Sequence, residues 1–278
     1  MKLLDGKDLA AQRRRQLKRQ VAALRRRGVV PGLAVVMVGE NPASQVYVRN
    51  KKNYSCEVGV RFWLRKFSAG ASEAKIIGAI KKLNQDKRVH GIILQLPLPS
   101  RLDSLKVISA IDPIKDVDGL HPMNLGLLAA GRPLFLPATP KGILDLLDHY
   151  QIDVQGKRVA VVGFGLVVGM PLSLALLHLK ATVVVAHGQT KDLGSISRSA
   201  DIIVTAAGVP NLIKGSMVRA GAVVVDAGIS KVGGKLVGDV ELKTVARKAS
   251  YLTPVPGGVG PMTVSSLIAN VVQAAKGF

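Results

Sequence analysis

Residues 158–169 are RVAVVGFGLVVG, and this stretch decides the fold. The largely β-branched run 158–162 has the length and composition of a buried strand. Gly163, Gly165 and Gly169 follow it with the spacing G-x-G-x-x-x-G, and a helical pattern starts there. This order is a variant of the dinucleotide-binding fingerprint, in which glycines let a pyrophosphate approach the free N–H groups of a helix. A packed glycine turn without a ligand is the alternative.

Apolar runs of strand length alternate with helical patterns on both sides of this segment. Strands are predicted at 33–38, 60–64, 91–96, 158–162, 182–186, 202–205 and 222–226. Helices are predicted at 42–57, 72–85 and 263–275, and from Thr139 onward with Pro140 as the first helical residue. Such alternation favours parallel sheets. We therefore expect an α/β protein with two α/β domains flanking a cleft.

Glycine, proline and asparagine cluster at residues 119–139, which predicts a domain boundary there. Residues 1–120 plus 263–278 would form one domain. Residues 139–260 would form the second, a Rossmann-type dinucleotide-binding domain.

Composition excludes several protein classes. The 278 residues are 48% hydrophobic, enough for a substantial core and too many for a disordered chain. Cys56 is the only cysteine, which excludes a disulfide framework and a cysteine-based metal site and suits a reducing cytoplasm. The uncharged stretch 159–177 is long enough to cross a bilayer, but its glycines and Pro171 favour a strand, a turn and a helix start. No membrane association and no metal are predicted.

The net charge of +21 is unevenly distributed, because residues 1–100 hold 21 basic and 6 acidic side chains. A basic half could attract nucleic acid, a membrane surface or an anionic small substrate. Aromatic residues are only 4% of the chain, too few for a base-stacking platform. Leu17, Val21 and Leu24 recur at helical spacing among the arginines, so a solvated helix face explains much of the charge. A nucleic-acid-associated protein is the less favoured hypothesis.

Candidate chemical groups occur in both halves. Tyr47 and Lys51 are four residues apart on a predicted helix, where they are either a cleft-facing pair or part of a basic surface. Gln95 interrupts an apolar strand, so its amide needs partners if it is buried. Asp116 and Asp118 suit a turn as well as a site. Residues 253–263 form a proline- and glycine-rich loop able to approach a flat ligand.

Seven segments together resemble the bifunctional methylenetetrahydrofolate dehydrogenase/methenyltetrahydrofolate cyclohydrolase family. They occur in the family's order and span nearly the whole chain: VGENPASQVYVRNK (38–51), GIILQLPLP (91–99), KDVDGLHP (115–122), PATPKG (137–142), VVGFGLVVGMP (161–171), GAVVVDAGIS (221–230) and TPVPGGVGPMT (253–263). The resemblance implies oxidation of 5,10-methylenetetrahydrofolate with a nicotinamide cofactor, then hydrolysis to 10-formyltetrahydrofolate. These are steps of one-carbon metabolism that support purine biosynthesis. A cyclohydrolase with weak or lost dehydrogenase activity is the alternative.

The resemblance also implies residue roles. Lys51 would move the proton during water attack, Gln95 would hold and tune Lys51, Tyr47 would line the folate site, and Asp118 would bind the amino-pyrimidine edge of the pterin. Two further sets are implied: a loop closing over the substrate, with Pro256, Gly257, Gly258 and Pro261, and a cofactor site, with Thr139, Gly163, Phe164, Gly165 and Ile229. The implied partners are a folate, which in cells often carries a polyglutamate tail, and a second copy of the chain in a homodimer.

The cofactor site departs from the family pattern. The family usually carries Arg-Ser where this chain has Phe164-Gly165, and often Ser at the position of Gly188. Those residues commonly hold the 2′-phosphate of NADP. After the strand 182–186 the chain also lacks the acidic residue that usually holds the ribose of NAD, whereas Lys191 lies nearby in sequence. NADP is the expected cofactor, with NAD as the alternative.

Overall fold

A computed structural model describes residues 1–277. The strands are β1 (Lys2–Leu3), β2 (Gly32–Val38), β3 (Arg61–Phe67), β4 (Gly91–Leu94), β5 (Arg158–Val162), β6 (Thr182–Ala186), β7 (Ile202–Thr205), β8 (Val223–Asp226), β9 (Ser230–Val232), β10 (Lys235–Val237) and β11 (Tyr251–Leu252). The helices are α1 (Gly6–Arg26), α2 (Pro42–Val58), α3 (Glu73–Gln85), α4 (Ser104–Ile108), α5 (Pro122–Ala129), α6 (Ala138–His149), α7 (Gly169–His178), α8 (Leu193–Arg198), α9 (Leu242–Val245) and α10 (Val259–Lys276). The predicted α/β class with parallel sheets is confirmed.

The chain divides into two compact units. We call them the Lys51 unit, formed by Ala11–Ala138 and the residues from Val264 onward, and the glycine-turn unit, formed by Met1–Ala10 and Thr139–Thr263. The first ten residues were predicted to belong to the same domain as Lys51. They lie in the glycine-turn unit instead, because β1 pairs in parallel with β11.

The Lys51 unit contains a three-stranded parallel sheet in the order β3-β2-β4. The central strand β2 is buried along its whole length, which fits its unbroken apolar sequence. Apolar residues of α1, α2 and α10 pack on the sheet, among them Val21, Val58 and Ile268.

The glycine-turn unit contains a six-stranded parallel sheet in the order β1-β11-β8-β7-β5-β6. Alternate residues of β5 enter two different apolar clusters, Val159 and Val161 in one and Ala160 and Val162 in the other. Both faces of the sheet are therefore covered, which is typical of a doubly wound nucleotide-binding sheet.

The structure corrects several predicted boundaries. The strand predicted at 91–96 ends at Leu94, before the cis Leu96–Pro97 peptide bond. The predicted boundary segment 119–139 contains the helix α5, which begins at Pro122. Helix α6 begins at Ala138, so Pro140 is its third residue rather than its first. Helix α10 begins at Val259, four residues earlier than predicted.

No helix within residues 1–277 is both long enough and apolar enough to span a membrane.

Candidate functional site

Lys51 lies on the buried face of α2. Asn41 caps that helix, because its side chain accepts a hydrogen bond from the N–H of Ser44. Pro42 fits the first turn, since the N–H that a proline lacks has no partner within the helix at that position. The Lys51 side chain is 9% exposed, and its Nζ donates to Oε1 of Gln95 at 2.9 Å. Burial lowers the pKa of Lys51, and the nearby charge of Asp118 acts against that shift.

Gln95 is fixed by contacts at both ends. Its backbone N–H donates to the carbonyl of Val36 on the neighbouring strand at 2.8 Å. Its side-chain Nε2 donates to the carbonyl of Leu96 at 2.8 Å, so the amide oxygen is the atom directed at Lys51. An amide oriented in this way holds the ammonium or amine of Lys51 in one position.

Asp118 lies on a segment that is tied down on two sides. The N–H of Ile92 on β4 donates to the carbonyl of Lys115, and Asn270 Nδ2 on α10 donates to the carbonyl of Val117 at 2.9 Å. Burial raises the pKa of Asp118, and the charge of Lys51 lowers it. Lys51, Gln95 and Asp118 are thus brought together within the Lys51 unit.

Asp116 is a supporting residue to which the sequence assigned no role beyond a turn. It is almost fully buried, and its Oδ2 accepts the N–H of His121 at 2.7 Å and the Nδ2 of Asn124 at 2.9 Å. Burial raises its pKa to about 6. These bonds connect the Asp118 segment to the start of α5. A buried carboxylate among turn residues gives no sequence signal that distinguishes it from a solvated one.

Tyr47 lies one helical turn before Lys51 on α2 and is half-buried. Burial raises the pKa of its phenol, which keeps the hydroxyl available as a hydrogen-bond donor. The tyrosine combines a planar apolar ring with a polar tip, as a residue lining a heterocycle would require.

The glycine turn connects β5 to α7 as predicted. Gly163 has φ +104°, and its N–H donates to the carbonyl of Ala186 on β6 at 2.8 Å. A Cβ at Gly163 would lie 2.5 Å from the carbonyl oxygen of Ala206, and one at Gly169 would lie 1.8 Å from that of Gly163. Val168, at the start of α7, provides no side-chain cap. In the first turn of α7, the N–H of Met170 donates to the carbonyl of Gly165 at 3.1 Å and Pro171 has no N–H, so the N–H of Gly169 is the one that an anion could meet there.

The other residues predicted for the cofactor site also lie in the glycine-turn unit. Phe164 is 53% exposed and Ile229 is 41% exposed. The hydroxyl of Thr139, at the start of α6, accepts a hydrogen bond from Thr263 at 3.1 Å. After β6, His187 accepts the N–H of Gln189 on its Nδ1 at 3.2 Å, so its imidazole stabilises a local turn.

The predicted substrate-covering loop lies partly within a helix. Pro256 is exposed and follows a cis peptide bond, and the carbonyl of Gly257 accepts the N–H of Lys7 at 2.9 Å. Gly258 is buried, and Pro261 belongs to the first turn of α10. Only the segment up to Gly258 therefore has loop structure, because the α10 backbone begins at Val259.

Sequence reasoning missed a pair of buried acids in the glycine-turn unit. Asp226 ends β8 and is 3% exposed, and Asp239 is fully buried. The signal that could have identified Asp226 is the carboxylate at the end of an otherwise apolar strand, VVVD. Among residues 1–277, no group of three or more His, Cys, Asp or Glu side chains is arranged to hold a metal ion.

Family models match both parts of the chain. Residues 4–118 match the tetrahydrofolate dehydrogenase/cyclohydrolase catalytic domain, and residues 137–278 match the NAD(P)-binding domain of the same family. The chain belongs to the tetrahydrofolate dehydrogenase/cyclohydrolase family. The resemblance inferred from seven sequence segments is thereby confirmed.

Relatives within the family match along the full length. The bifunctional protein FolD of Moorella thermoacetica is 49% identical over 99% of this chain and 98% of its own. The crystal structure of the bifunctional enzyme FolD from Campylobacter jejuni is 44% identical with a TM-score of 0.97, covering 99% of both chains. The Trypanosoma brucei FolD, complexed with NADP cofactor and an inhibitor, is 38% identical with a TM-score of 0.94, covering 98% of this chain and 96% of its own.

Family membership confirms the predicted class of enzyme. The chain is a bifunctional methylenetetrahydrofolate dehydrogenase and methenyltetrahydrofolate cyclohydrolase that uses a nicotinamide cofactor, and the alternative of cyclohydrolase activity alone is not favoured.

Proposed function

We propose that Lys51, Gln95, Asp118 and Tyr47 carry the folate chemistry and that the glycine turn binds the cofactor. Hydride leaves the one-carbon bridge of 5,10-methylenetetrahydrofolate for the nicotinamide, which produces the methenyl cation. Water then adds to the cationic carbon and loses a proton, and the bridge opens to 10-formyltetrahydrofolate. The contact between the buried Lys51 and the oriented Gln95 amide carries this proposal.

In this mechanism Lys51 acts as the general base for water attack. Only the neutral amine accepts a proton, and the lowered pKa of Lys51 increases the neutral fraction near pH 7. Gln95 keeps the amine in position, Asp118 accepts hydrogen bonds from the amino-pyrimidine edge of the pterin, and Tyr47 stacks on the substrate. Hydride transfer itself depends on orientation more than on acid–base help.

Separate assays of the two steps test the proposal. Oxidation of methylenetetrahydrofolate is followed with each nicotinamide cofactor, and hydrolysis of preformed methenyltetrahydrofolate is followed without cofactor. Both activities are expected. Hydrolysis at the uncatalysed rate would contradict the roles given to Lys51 and its neighbours.

We propose NADP as the preferred cofactor, by tenfold or less, equivalent to about 1.4 kcal/mol. Phe164 and Gly188 supply no charged group for a 2′-phosphate, which weakens NADP binding. No acidic residue follows β6 to hold the NAD ribose, and the exposed Lys191 attracts the more anionic cofactor. Titration of both dissociation constants measures the preference.

Phe164→Arg is expected to strengthen NADP binding by about 1–2 kcal/mol through a charge-assisted contact with the 2′-phosphate. Phe164 is exposed, so the substitution removes little core packing. NAD affinity should change little, which makes NAD titration the matched control. An arginine that leaves NADP affinity unchanged would show that residue 164 does not face the adenosine ribose.

Polyglutamylated folates are expected to be better substrates than the monoglutamate. Exposed Arg49 and Lys52 flank Lys51 on α2, within the basic first 100 residues. Longer tails should lower the apparent KM at low ionic strength, and added salt should remove the gain because it screens exposed charges. A KM that does not depend on tail length at low salt would disprove this attraction.

We further propose a cytoplasmic homodimer that associates through the glycine-turn units. Strand β6 is an edge strand with half-buried Val183, Val184 and Val185, and Leu177 and Leu179 before it are exposed. An apolar edge of this kind is suited to pairing with a second copy. Light scattering should give twice the 29.4 kDa mass of one chain, and the mass of a single chain would exclude the dimer.

A further inference from the structure

Two buried carboxylates of the glycine-turn unit hold the turns at the carboxyl ends of β7 and β8. The order β8-β7-β5-β6 places β6 and β7 on opposite sides of β5, so the chain reverses its direction of winding there. Dinucleotides bind outside the carboxyl ends of the strands at such a switch point. The turns after β7 and β8 therefore lie at the carboxyl ends of the strands, which we call the cofactor-binding edge of this sheet.

Asp239 fixes the turn after β7. Its Oδ2 accepts the N–H of Ala207 at 2.7 Å, the N–H of Gly208 at 3.2 Å and the hydroxyl of Thr205 at 2.8 Å. The same turn lies against the dinucleotide fingerprint, because the space where a Cβ of Gly163 would stand is occupied by the carbonyl of Ala206. A shift of the 206–208 turn would therefore displace the glycine turn as well.

Asp226 fixes the turn after β8 and also holds the backbone of Asp239. Its Oδ1 accepts the N–H groups of Gly228 at 2.9 Å and Asp239 at 3.1 Å, and its Oδ2 accepts the N–H of Val240 at 2.9 Å. Ser230 completes the network by donating its hydroxyl to the carbonyl of Gly208 at 3.1 Å, which joins the two turns.

The two acidic segments interlock through their glycines. A Cβ at Gly228, two residues after Asp226, would lie 2.1 Å from the carboxyl group of Asp239. A Cβ at Gly238, one residue before Asp239, would lie 1.9 Å from Oδ2 of Asp226. Each carboxyl group thus occupies the space that a side chain on the other segment would need, and neither segment can move without the other.

We propose that Asp226 and Asp239 are positioning residues of the dehydrogenase reaction, which hold the turns that orient the nicotinamide half of the cofactor. This inference rests on the proposed function. Neither acid needs to touch the cofactor, because both act through the backbone of the 206–208 and 227–230 turns. The buried carboxylates keep those turns rigid before the cofactor arrives, so hydride donor and acceptor meet without reorganisation.

Asp239→Asn and Asp226→Asn test the inference by weakening charge-assisted hydrogen bonds while keeping the side-chain shape. Each variant is expected to lower the dehydrogenase kcat/KM for the cofactor by about 10- to 100-fold, with a raised cofactor KM. The KM for methylenetetrahydrofolate and the hydrolysis of preformed methenyltetrahydrofolate should stay within about twofold of wild type, since the residues proposed for hydrolysis lie in the other unit.

Asp201→Asn is the matched control. Asp201 directly precedes β7, so it lies at the amino ends of the strands, away from the cofactor-binding edge. Its carboxylate accepts the N–H of Arg158 at 2.7 Å and pairs with Arg219. The Asp201→Asn substitution weakens the same kind of hydrogen bond far from the cofactor-binding edge. The cofactor KM of this variant should therefore equal that of wild type. Ser230→Ala, which removes only the link between the two turns, should raise the cofactor KM by about threefold.

The outcomes separate the inference from the proposed function. Wild-type protein without dehydrogenase activity would contradict the proposed function. Active wild-type protein with unchanged cofactor kinetics in both asparagine variants would overturn the positioning role alone. An equal loss of both activities in those variants, with Ser230→Ala at wild-type level, would also overturn it and assign the acids a purely structural role.

Discussion

Lys51→Met is expected to abolish cyclohydrolase activity, with a loss of about 10²- to 10⁴-fold in kcat, because methionine cannot accept the proton of the attacking water. Methionine matches the length and buried environment of Lys51, so the fold of α2 should persist. The Oε1 of Gln95 would lose its donor, but its Nε2 would remain bonded to the carbonyl of Leu96. Folate binding should remain measurable by fluorescence titration.

Lys52→Met is the matched control, since Lys52 is the next residue on the same helix and is exposed. It should keep wild-type hydrolysis of the monoglutamate substrate. In wild type, the rate should rise as the pH increases through the lowered pKa of Lys51, because the protonated form predominates below that pKa and cannot act as a base. Hydrolysis by Lys51→Met at the wild-type rate would exclude Lys51 as the base.

Gly163→Ala should produce the second large effect, on cofactor use and on stability. The φ of +104° is unfavourable for alanine, and the new Cβ would lie 2.5 Å from the carbonyl oxygen of Ala206. We expect a loss of about 2–4 kcal/mol in the free energy of unfolding. The dehydrogenase kcat/KM should fall on the order of 100-fold, because the glycine turn and the 206–208 turn would shift together.

Gly165→Ala separates steric strain from a general sensitivity of the turn. A Cβ at Gly165 would enter open space, so the free energy of unfolding of this variant should match that of wild type. Denaturant titration of both variants gives the comparison. Equal stabilities for Gly163→Ala and wild type would mean that the turn relaxes freely and that Gly163 is not required for its conformation.

The sequence predicted the strands and helices well where apolar runs were long. Strand β5 and its glycine turn were identified from a short apolar run and the spacing of the glycines that follow it, a pattern typical of a buried strand that ends in a tight turn. Strands β1 and β11 were missed because each has two residues and exists only through pairing with a distant segment. The β9–β10 hairpin was also missed, although Gly233-Gly234 is a recognised hairpin turn sequence.

The site was predictable only in part. From spacing alone, Tyr47 and Lys51 could belong either to a solvent-exposed basic surface or to a functional site. A periodic pattern does not show which face of a basic helix is buried. The Lys51–Gln95 contact joins residues 44 positions apart, a separation that local propensities cannot reveal. Asp226 and Asp239 were overlooked for a different reason, since most of their partners are backbone N–H groups, which any sequence would supply.

The division of the chain into two non-contiguous units has a consequence for protein synthesis. Helix α10 supplies core residues to both units, Val259 and Met262 to one and Leu267 and Ile268 to the other. Domains generally fold in order as they emerge from the ribosome. Here the helix made after all the strands completes both cores, so a nascent chain lacking it exposes apolar surface in each. Ribosome-associated chaperones should therefore bind this chain until α10 has been translated.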